Sequence, residues 1–171
     1  MISPDAVLFD MDGVLIDSFK AWLRAINAAL RHFDHKVLSE KEFRGTYWGH
    51  DLYENLSRLG IDEQVGAFCI TVFDDYVDGI TIFPETRAVL KKLAGYTMAL
   101  VTNTPERCVN SILTHFDIDG FFQAVVTPDD VEHGKPDPEM LLEACRRLNV
   151  EPSRTVFVGD TDSDVRAGRA A

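Results

Sequence analysis

The chain has 171 residues, a length that favours one core domain with one small insertion. Its composition, 46% apolar and 26% charged, is that of an ordinary globular protein. The formal net charge of −11 argues against nucleic acid or an anionic membrane surface as a partner, because both are polyanions that repel an acidic protein. An anionic ligand would therefore need a local positive charge at its site.

Cysteine usage and the first residues of the chain indicate a reducing compartment. Cys69, Cys108 and Cys145 are odd in number and widely spaced, and Cys69 and Cys145 fall on apolar faces of predicted helices, where they are interpreted as small core residues. The chain runs almost directly into a short apolar strand, so we expect no signal peptide. No apolar run approaches the roughly 20 residues that span a bilayer. We expect a cytoplasmic protein with no membrane partner.

The first predicted element is a buried strand, followed by a long helical segment. Residues 6–9 form an unbroken apolar run that ends abruptly at Asp10, as expected for a strand buried on both faces. From about residue 17 to residue 81, apolar residues recur at helical spacing, and Ser39 to Glu42 form a capping box. We predict four helices and no strand in this segment.

After residue 81, strands and helices alternate. Three further strands are predicted, at residues 96–101, 121–126 and 155–158. Strands that alternate with helices imply a parallel sheet with right-handed crossovers. The predicted fold is therefore α/β, with a doubly wound parallel-sheet core formed by residues 1–16 and 82–171. Residues 17–81 interrupt it as an inserted all-α domain of four helices.

Polar residues follow three of the predicted strands. Asp10, Thr102 and Asp160 each come just after a strand end. In open parallel sheets, ligands bind in the crevice beyond the carboxyl ends of the strands. These three residues are therefore expected to converge on one site.

Two acidic motifs favour a magnesium site. Asp10 and Asp12 face the same way in an extended segment, so the pair can hold a hard cation or divide nucleophilic and proton-transfer roles. A solvated turn is the alternative interpretation of this motif. The second cluster, from Asp160 to Asp164, lacks the glycine and glutamate that an EF-hand loop requires. Magnesium fits better, because it needs few protein carboxylates and keeps waters and substrate phosphate.

Several cationic and polar residues are candidates for binding phosphate. Lys135 is flanked by prolines that restrict its backbone, although a lone lysine is usually solvated. Thr102 and Asn103 offer hydroxyl and amide groups at a predicted helix start, where they could bind phosphate or cap the helix. Arg44 begins a segment with flanking glycines and aromatic residues that could reach the substrate or be an ordinary interhelical loop. No Walker loop or G-x-G-x-x-G motif occurs.

The ordered set of motifs resembles the haloacid dehalogenase (HAD) superfamily across essentially the whole chain. The four motifs of that superfamily match Asp10–Val14, Thr102, Lys135 and Gly159–Asp164, in this order. Each motif is weak singly, but the ordered set is specific. The helical segment resembles the cap domain of the phosphoglycolate phosphatase and phosphoglucomutase-like branch.

This resemblance implies a Mg²⁺-dependent phosphatase that acts on a small phosphorylated metabolite. Asp10 would be the nucleophile that forms an aspartyl-phosphate, and Asp12 the general acid and base. Lys135, Thr102 and Asn103 would bind the transferring phosphate, and the cation and Lys135 would reverse the local sign of the field. The resemblance leaves open a monomer or a homodimer.

The resemblance also implies a metal site, and the composition of residues 44–50 suggests a specificity residue. Mg²⁺ would be held by Asp10, the backbone carbonyl of Asp12 and Asp160, with Asp164 orienting the site rather than ligating directly. Arg44, in the helical segment, would contribute to substrate specificity.

Three alternative functions stay open. A β-phosphoglucomutase-like phosphotransferase and an inorganic pyrophosphatase would use the same fold, as the resemblance implies. An alternative of another class is a non-catalytic phospho-acceptor signalling module, similar to response-regulator receivers. The long helical insertion and the second aspartate, Asp12, argue against a signalling module, and Asp12 also argues against a dehalogenase.

The last predicted strand is expected at an edge of the sheet. By resemblance, the family's strand order is 5-4-1-2-3, and a further strand and helix follow the fourth motif, whereas this chain stops at Ala171. Val156 to Val158 would then form an apolar edge without a protecting charge, and such edges tend to pair or aggregate. We expect either that the natural protein continues beyond Ala171 or that a second chain covers this edge.

Overall fold

The computed structural model describes residues 4–171 and shows an α/β fold. The strands are β1 (Ala6–Phe9), β2 (Ile16–Asp17), β3 (Thr81–Ile82), β4 (Thr97–Val101), β5 (Ala124–Val126) and β6 (Thr155–Val158). The α-helices are α1 (Phe19–His32), α2 (Glu40–Glu42), α3 (Leu52–Leu59), α4 (Glu63–Phe73), α5 (Thr86–Lys92), α6 (Glu106–Phe116), α7 (Glu139–Leu148) and α8 (Asp162–Ala170). Within residues 4–171, none of the helices has the length and apolar character to cross a bilayer.

The main sheet has four strands in the order β5-β4-β1-β6, and all neighbouring pairs are parallel. The predicted parallel α/β sheet is therefore confirmed. All four residues of β1 are buried, as expected for a strand covered on both faces. Phe9 is in register with Leu100 of β4 and Val158 of β6, so these strands end almost level. Residues that follow them consequently emerge at one edge of the sheet.

Residues 18–80, called here the helical insertion, lie between β2 and β3 and contain helices without a strand among these described residues. The four predicted helices correspond to α1, α2, α3 and α4, and α2 continues into a π-helical turn at Phe43–Tyr47. The capping box predicted at the start of α2 is present, with reciprocal hydrogen bonds between Ser39 and Glu42.

Two short strands were not predicted. Ile16 pairs with Ile82 and Asp17 with Thr81, so β2 and β3 form an antiparallel ribbon that joins the two ends of the helical insertion. Two residues are too few to show a strand period in a sequence. The predicted strand at 121–126 was too long, because Asp119–Phe121 forms a 3₁₀ turn and β5 begins at Ala124.

The hydrophobic core forms two clusters on opposite faces of the main sheet. The larger one contains Phe9 of β1 together with Trp22 and Phe73 of the helical insertion, so sheet and insertion share it. The smaller one contains Leu8 of β1 and Met140 of α7. Successive side chains of β1 therefore pack into opposite clusters, because side chains alternate between the two faces of a strand.

β6 lies at an edge of the main sheet, as expected. Its side chains Val156 and Val158 are 46% and 38% exposed, while the equivalent face of β1 is buried. The expectation that further chain or a second copy covers this edge stays a prediction.

Candidate active site

The side chains that follow three strands of the main sheet meet at its carboxyl edge. The backbone N–H of Asp10 donates to the carbonyl of Val158 over 2.9 Å, and that of Thr102 donates to Val126 over 3.1 Å, so both residues extend the strand ladders by one step. Asp10 and Thr102 line one cavity together with Lys135, and carboxylate oxygens of Asp10 and Asp160 lie within 4.8 Å of each other. The predicted convergence of distant sequence segments therefore occurs in the structure.

Three carboxylates and one ammonium group form the charged centre of this site. Oxygen atoms of Asp10, Asp160 and Asp164 lie within 4.8 Å of one another. Lys135 Nζ lies 2.9 Å from Asp10 Oδ1 and 2.6 Å from Asp164 Oδ1, and it also donates to the carbonyl of Val101 over 3.1 Å. One ammonium offsets only one of three carboxylates. When all three carboxylates are ionised, two negative charges remain, and these charges with their oxygen donors fit a hard divalent cation.

Burial and this charge arrangement determine the ionisation of the site. Burial raises the pKa of Asp10 to about 7, although the nearby Lys135 ammonium opposes the shift. Burial also raises the pKa of the Asp160 carboxyl. For Asp164, burial would raise the pKa, but the Lys135 ammonium and the hydrogen bonds from Thr161 together lower it. Burial would likewise lower the pKa of Lys135, but the two carboxylates beside it raise the pKa. A bound cation would favour the ionised forms of Asp10 and Asp160.

Hydroxyl groups donate hydrogen bonds to both carboxylate oxygens of Asp12, the other carboxylate that follows β1. Thr104 Oγ1 donates to Asp12 Oδ2 over 2.7 Å, Thr102 Oγ1 donates more weakly over 3.4 Å, and Ser18 Oγ donates to Oδ1. The site thus has one carboxylate, Asp10, beside Lys135 and another, Asp12, that is oriented by neutral hydroxyl donors. Two carboxylates in such different environments are suited to different chemical roles.

The contacts of Ser18 and Thr104 with Asp12 were not predicted. Ser18 stands at the N-cap position of α1 but makes no capping hydrogen bond, because its hydroxyl is used by Asp12 instead. A serine before a helix ordinarily indicates a helix cap, so the presence of serine at position 18 did not indicate a contact with Asp12. Thr104 is two residues from Thr102, and this proximity was the available clue.

Asn103 fixes the backbone of Lys135. Its Oδ1 accepts from the Lys135 N–H over 2.9 Å, and its Nδ2 donates to the Lys135 carbonyl over 2.9 Å. Nδ2 also lies 3.4 Å from the carbonyl of Gly49 in the helical insertion. Both polar atoms of the Asn103 side chain are therefore engaged with protein, and phosphate binding by Asn103 stays a prediction.

The position of Asp164 is fixed by the first turn of α8. Thr161 is the N-cap of that helix, and its N–H and Oγ1 both donate to Asp164 Oδ2, over 2.9 and 2.5 Å. Asp164 Oδ1 faces Lys135. Both oxygens already have donors, an arrangement that favours the orienting role predicted for this residue.

Glycine is required beside the acidic residues at two positions. Gly13 has φ of +84°, and a Cβ there would overlap the Asp160 carboxylate. A Cβ at Gly159 would overlap the side chain of Asp164. The glycines in the first and fourth motifs therefore allow the acidic side chains to approach the backbone closely.

A cavity extends from the carboxylates into the helical insertion. It has about 730 Å³ of space unoccupied by atoms, its open mouth included. Its floor contains Asp10, Asp12 and Lys135, and its opposite wall includes Trp22 and Leu56. The cavity therefore lies between acidic residues of the sheet edge and apolar residues of the helical insertion.

Arg44 lies outside this cavity. Its guanidinium carbon is 3.7 Å from the centroid of the Phe19 ring, and its Nη2 is 3.5 Å from Glu40 Oε1. The side chain is 58% exposed. The predicted role of Arg44 in substrate specificity stays a prediction.

Comparisons with known proteins agree with this geometry. A family model for haloacid dehalogenase-like hydrolases matches residues 7–171. Pyrophosphatase PpaX of Bacillus velezensis is 37% identical over 172 residues, which cover 97% of this chain and 79% of the relative. A phosphoglycolate phosphatase of Salmonella typhimurium is 30% identical over 194 residues, which cover 96% of this chain and 77% of the relative.

A solved structure supports the same fold. The crystal structure of CbbY from Rhodobacter sphaeroides in complex with phosphate has a TM-score of 0.89 at 22% identity. The match covers 98% of this chain and 82% of that chain. At this identity the likeness concerns the fold alone.

Proposed function

We propose a reaction for this chain from the premise that it belongs to the haloacid dehalogenase-like hydrolases and is a phosphatase. In this proposal it uses Mg²⁺ to hydrolyse a small phosphorylated metabolite through an aspartyl-phosphate. The observation that carries this proposal is that the two carboxylates following β1 have different partners. Asp10 faces Lys135, whereas Asp12 is oriented by the hydroxyls of Thr104 and Ser18.

In the first step, Asp10 is the nucleophile. A carboxylate oxygen of Asp10 attacks phosphorus, and the bond between phosphorus and the leaving-group oxygen breaks. Asp12, in its protonated form, donates its proton to that oxygen, so the leaving group departs as a neutral alcohol. Lys135 and Thr102 stabilise the charge on the transferring phosphoryl oxygens.

In the second step, water releases the phosphate. Asp12, now a carboxylate, removes a proton from a water molecule, and the resulting oxygen attacks the phosphorus of the aspartyl-phosphate. The bond between phosphorus and the Asp10 oxygen breaks, which regenerates the Asp10 carboxylate, and Asp12 keeps the proton that it took from water for the next turnover. The hydroxyls of Thr104 and Ser18 keep Asp12 oriented through both steps.

Mg²⁺ fits the acidic residues at the end of the sheet. Asp10 and Asp160 would hold it together with the backbone carbonyl of Asp12, and Asp164 would orient the site. When bound, it would neutralise charge so that a carboxylate can approach an anionic phosphate. This assignment is supported by the two uncompensated negative charges among Asp10, Asp160, Asp164 and Lys135.

The helical insertion is proposed to be a cap domain that covers the substrate. In this proposal, residues 17–81 form the cap, and residues 1–16 and 82–171 form the catalytic core. The cavity between the carboxylates and the insertion supports this division of roles. We further propose a cytoplasmic location and a monomer or homodimer.

The first test replaces Asp10 by Asn. This change keeps the side-chain volume and removes the nucleophile, so kcat should fall at least about a thousandfold. The rate is measured as phosphate release from a phosphate monoester in the presence of Mg²⁺. A variant that retains more than about a tenth of the activity would contradict the assignment of Asp10.

The second test removes the metal. EDTA should abolish turnover and added Mg²⁺ should restore it, because the uncompensated carboxylates otherwise repel the phosphate. Full activity in chelator would contradict the metal requirement.

A third test examines the intermediate. Mass spectrometry of enzyme trapped with a phosphoryl donor should detect a phosphoryl adduct on Asp10.

A pyrophosphatase is the second candidate function, because the relative at 37% identity carries that name. Pyrophosphate would replace the organic leaving group by a second phosphate. Comparing kcat/KM for pyrophosphate with kcat/KM for phosphate monoesters separates the two candidates.

A further inference from the structure

The wall of the cavity opposite the carboxylates is apolar. Trp22 and Ile26 of α1, Phe43, and Leu52 and Leu56 of α3 line it, and all five side chains are at least nine-tenths buried. A substrate whose phosphate lies at Asp10 would therefore place its leaving group against aromatic and aliphatic carbon. Such a surface stabilises an apolar group through removal of its carbon atoms from water.

Among the described residues that line this cavity, Lys135 is the one lysine or arginine. It lies on the floor, where two carboxylates within 3 Å already engage it. His50 also lines the cavity and is a cation only when protonated, and its Nδ1 lies 3.6 Å from Glu54 Oε2. The cavity therefore has no arginine or lysine for a second negative charge on the leaving group.

Among the described residues that line the cavity, two have a buried polar atom that makes no hydrogen bond with protein, namely His50 (Nδ1) and Asn55 (Oδ1). Asn55 is 8% exposed and lines the cavity, and its Nδ2 donates to the carbonyl of Tyr47 over 2.8 Å. Its Oδ1 is buried and accepts no hydrogen bond from protein. A buried acceptor without a donor destabilises a protein by about 1–3 kcal/mol, so a ligand that supplies a donor there is favoured.

From these observations we infer that the cavity selects phosphate monoesters whose leaving group is uncharged, has an apolar body and carries a hydroxyl hydrogen for Asn55 Oδ1. This inference rests on the proposed phosphatase function. A carboxylate or second phosphate in the same place would lie against carbon atoms and close to the acidic floor, with His50 as the one basic side chain besides Lys135 among the described lining residues. The inferred class therefore differs from phosphoglycolate and from pyrophosphate.

Matched esters test the effect of charge. The enzyme with Mg²⁺ is assayed with 4-methylbenzyl phosphate, 4-carboxybenzyl phosphate and acetyl phosphate. The first two share a benzylic leaving oxygen and a similar size but differ in charge, while acetyl phosphate has a small leaving group that needs few contacts with the cavity. We expect kcat/KM for the methyl ester to exceed that for the carboxyl ester at least about tenfold.

The three substrates separate failure of the inference from failure of the proposed function. Hydrolysis of acetyl phosphate, together with an equal or higher kcat/KM for the carboxyl ester, overturns the inference and leaves the phosphatase function intact. Hydrolysis of acetyl phosphate alone also overturns it, because the cavity then accepts neither benzyl group. Failure to hydrolyse any of the three, with Mg²⁺ present and the fold intact, contradicts the proposed function itself.

The hydroxyl preference is tested through Asn55. The 3- and 4-(hydroxymethyl)benzyl phosphates each supply a hydroxyl donor on the same ring, and at least one should exceed the 4-methyl ester in kcat/KM at least about threefold. Asn55→Leu should remove this preference, whereas Asn110→Leu, on the exposed face of α6, should retain it. Absence of the preference in the unsubstituted enzyme, or its persistence in Asn55→Leu, overturns the role of Asn55.

Discussion

Replacing Lys135 by Met should reveal how strongly one buried ammonium stabilises the acidic end of the sheet. The Lys135 and Asp164 side chains are each 2% exposed, and the Asp10 side chain is 8% exposed. Exposed ion pairs contribute about 0–1 kcal/mol, whereas removal of one partner from a buried pair costs about 3–5 kcal/mol. Both carboxylates are buried and within 3 Å of Lys135 Nζ, so we expect the substitution to lower the free energy of unfolding by about 3–5 kcal/mol.

The loss of stability should depend on pH in a defined direction. Without the ammonium, the pKa values of Asp10 and Asp164 in the folded variant should rise above their unfolded values of about 4. The folded variant then binds more protons than its unfolded chain, so its stability falls as pH rises from about 4 through the raised pKa values. Relative to the unsubstituted protein, the loss should be larger at about pH 8 than at about pH 5.

Urea unfolding followed by circular dichroism measures both effects, in metal-free buffer so that a bound cation does not replace the ammonium. Lys92→Met, at an exposed position of α5, is the matched control and should change the free energy of unfolding by less than about 0.5 kcal/mol. A loss below about 1 kcal/mol at both pH values, or a larger loss at the lower pH, would refute this reasoning.

Three further substitutions test other parts of the site. Gly13→Ala should lower the free energy of unfolding by about 1–3 kcal/mol and raise the Mg²⁺ concentration needed for half-maximal activity, because the new alanine Cβ displaces Asp160. Unchanged values in both assays would contradict this expectation. Thr104→Val should lower kcat about tenfold with little change in KM, because Asp12 loses a 2.7 Å donor, and an unchanged kcat would contradict the positioning role. Arg44→Ala should change relative kcat/KM among substrates more than it changes metal dependence, and an identical substrate profile would remove Arg44 from the specificity residues.

The convergence of the acidic residues could be predicted from sequence because it depends on strand ends alone. Parallel strands in register place the residues after them at one edge, so Asp10, Thr102 and Asp160 required no knowledge of helix packing. The ribbon of β2 and β3 could not be predicted, since it is held by pairing between residues far apart in sequence and each strand has two residues.

The apolar cavity was not predictable for a different reason. Trp22, Leu52 and Leu56 occur at helical spacing on α1 and α3, as core residues do. An apolar stripe that packs against another helix and one that borders a cavity have the same periodicity. Only the placement of α1 and α3 above the carboxylates distinguishes them, and that placement is a property of the tertiary structure.

The large cluster that joins Phe9 of β1 with Trp22 and Phe73 of the helical insertion has a thermodynamic consequence. Two units with separate cores can melt independently, whereas units that share a core lose their packing together. Calorimetry of this chain should therefore show one transition whose calorimetric and van't Hoff enthalpies agree. A cavity-forming substitution such as Phe73→Ala should lower the melting temperature of sheet and insertion alike.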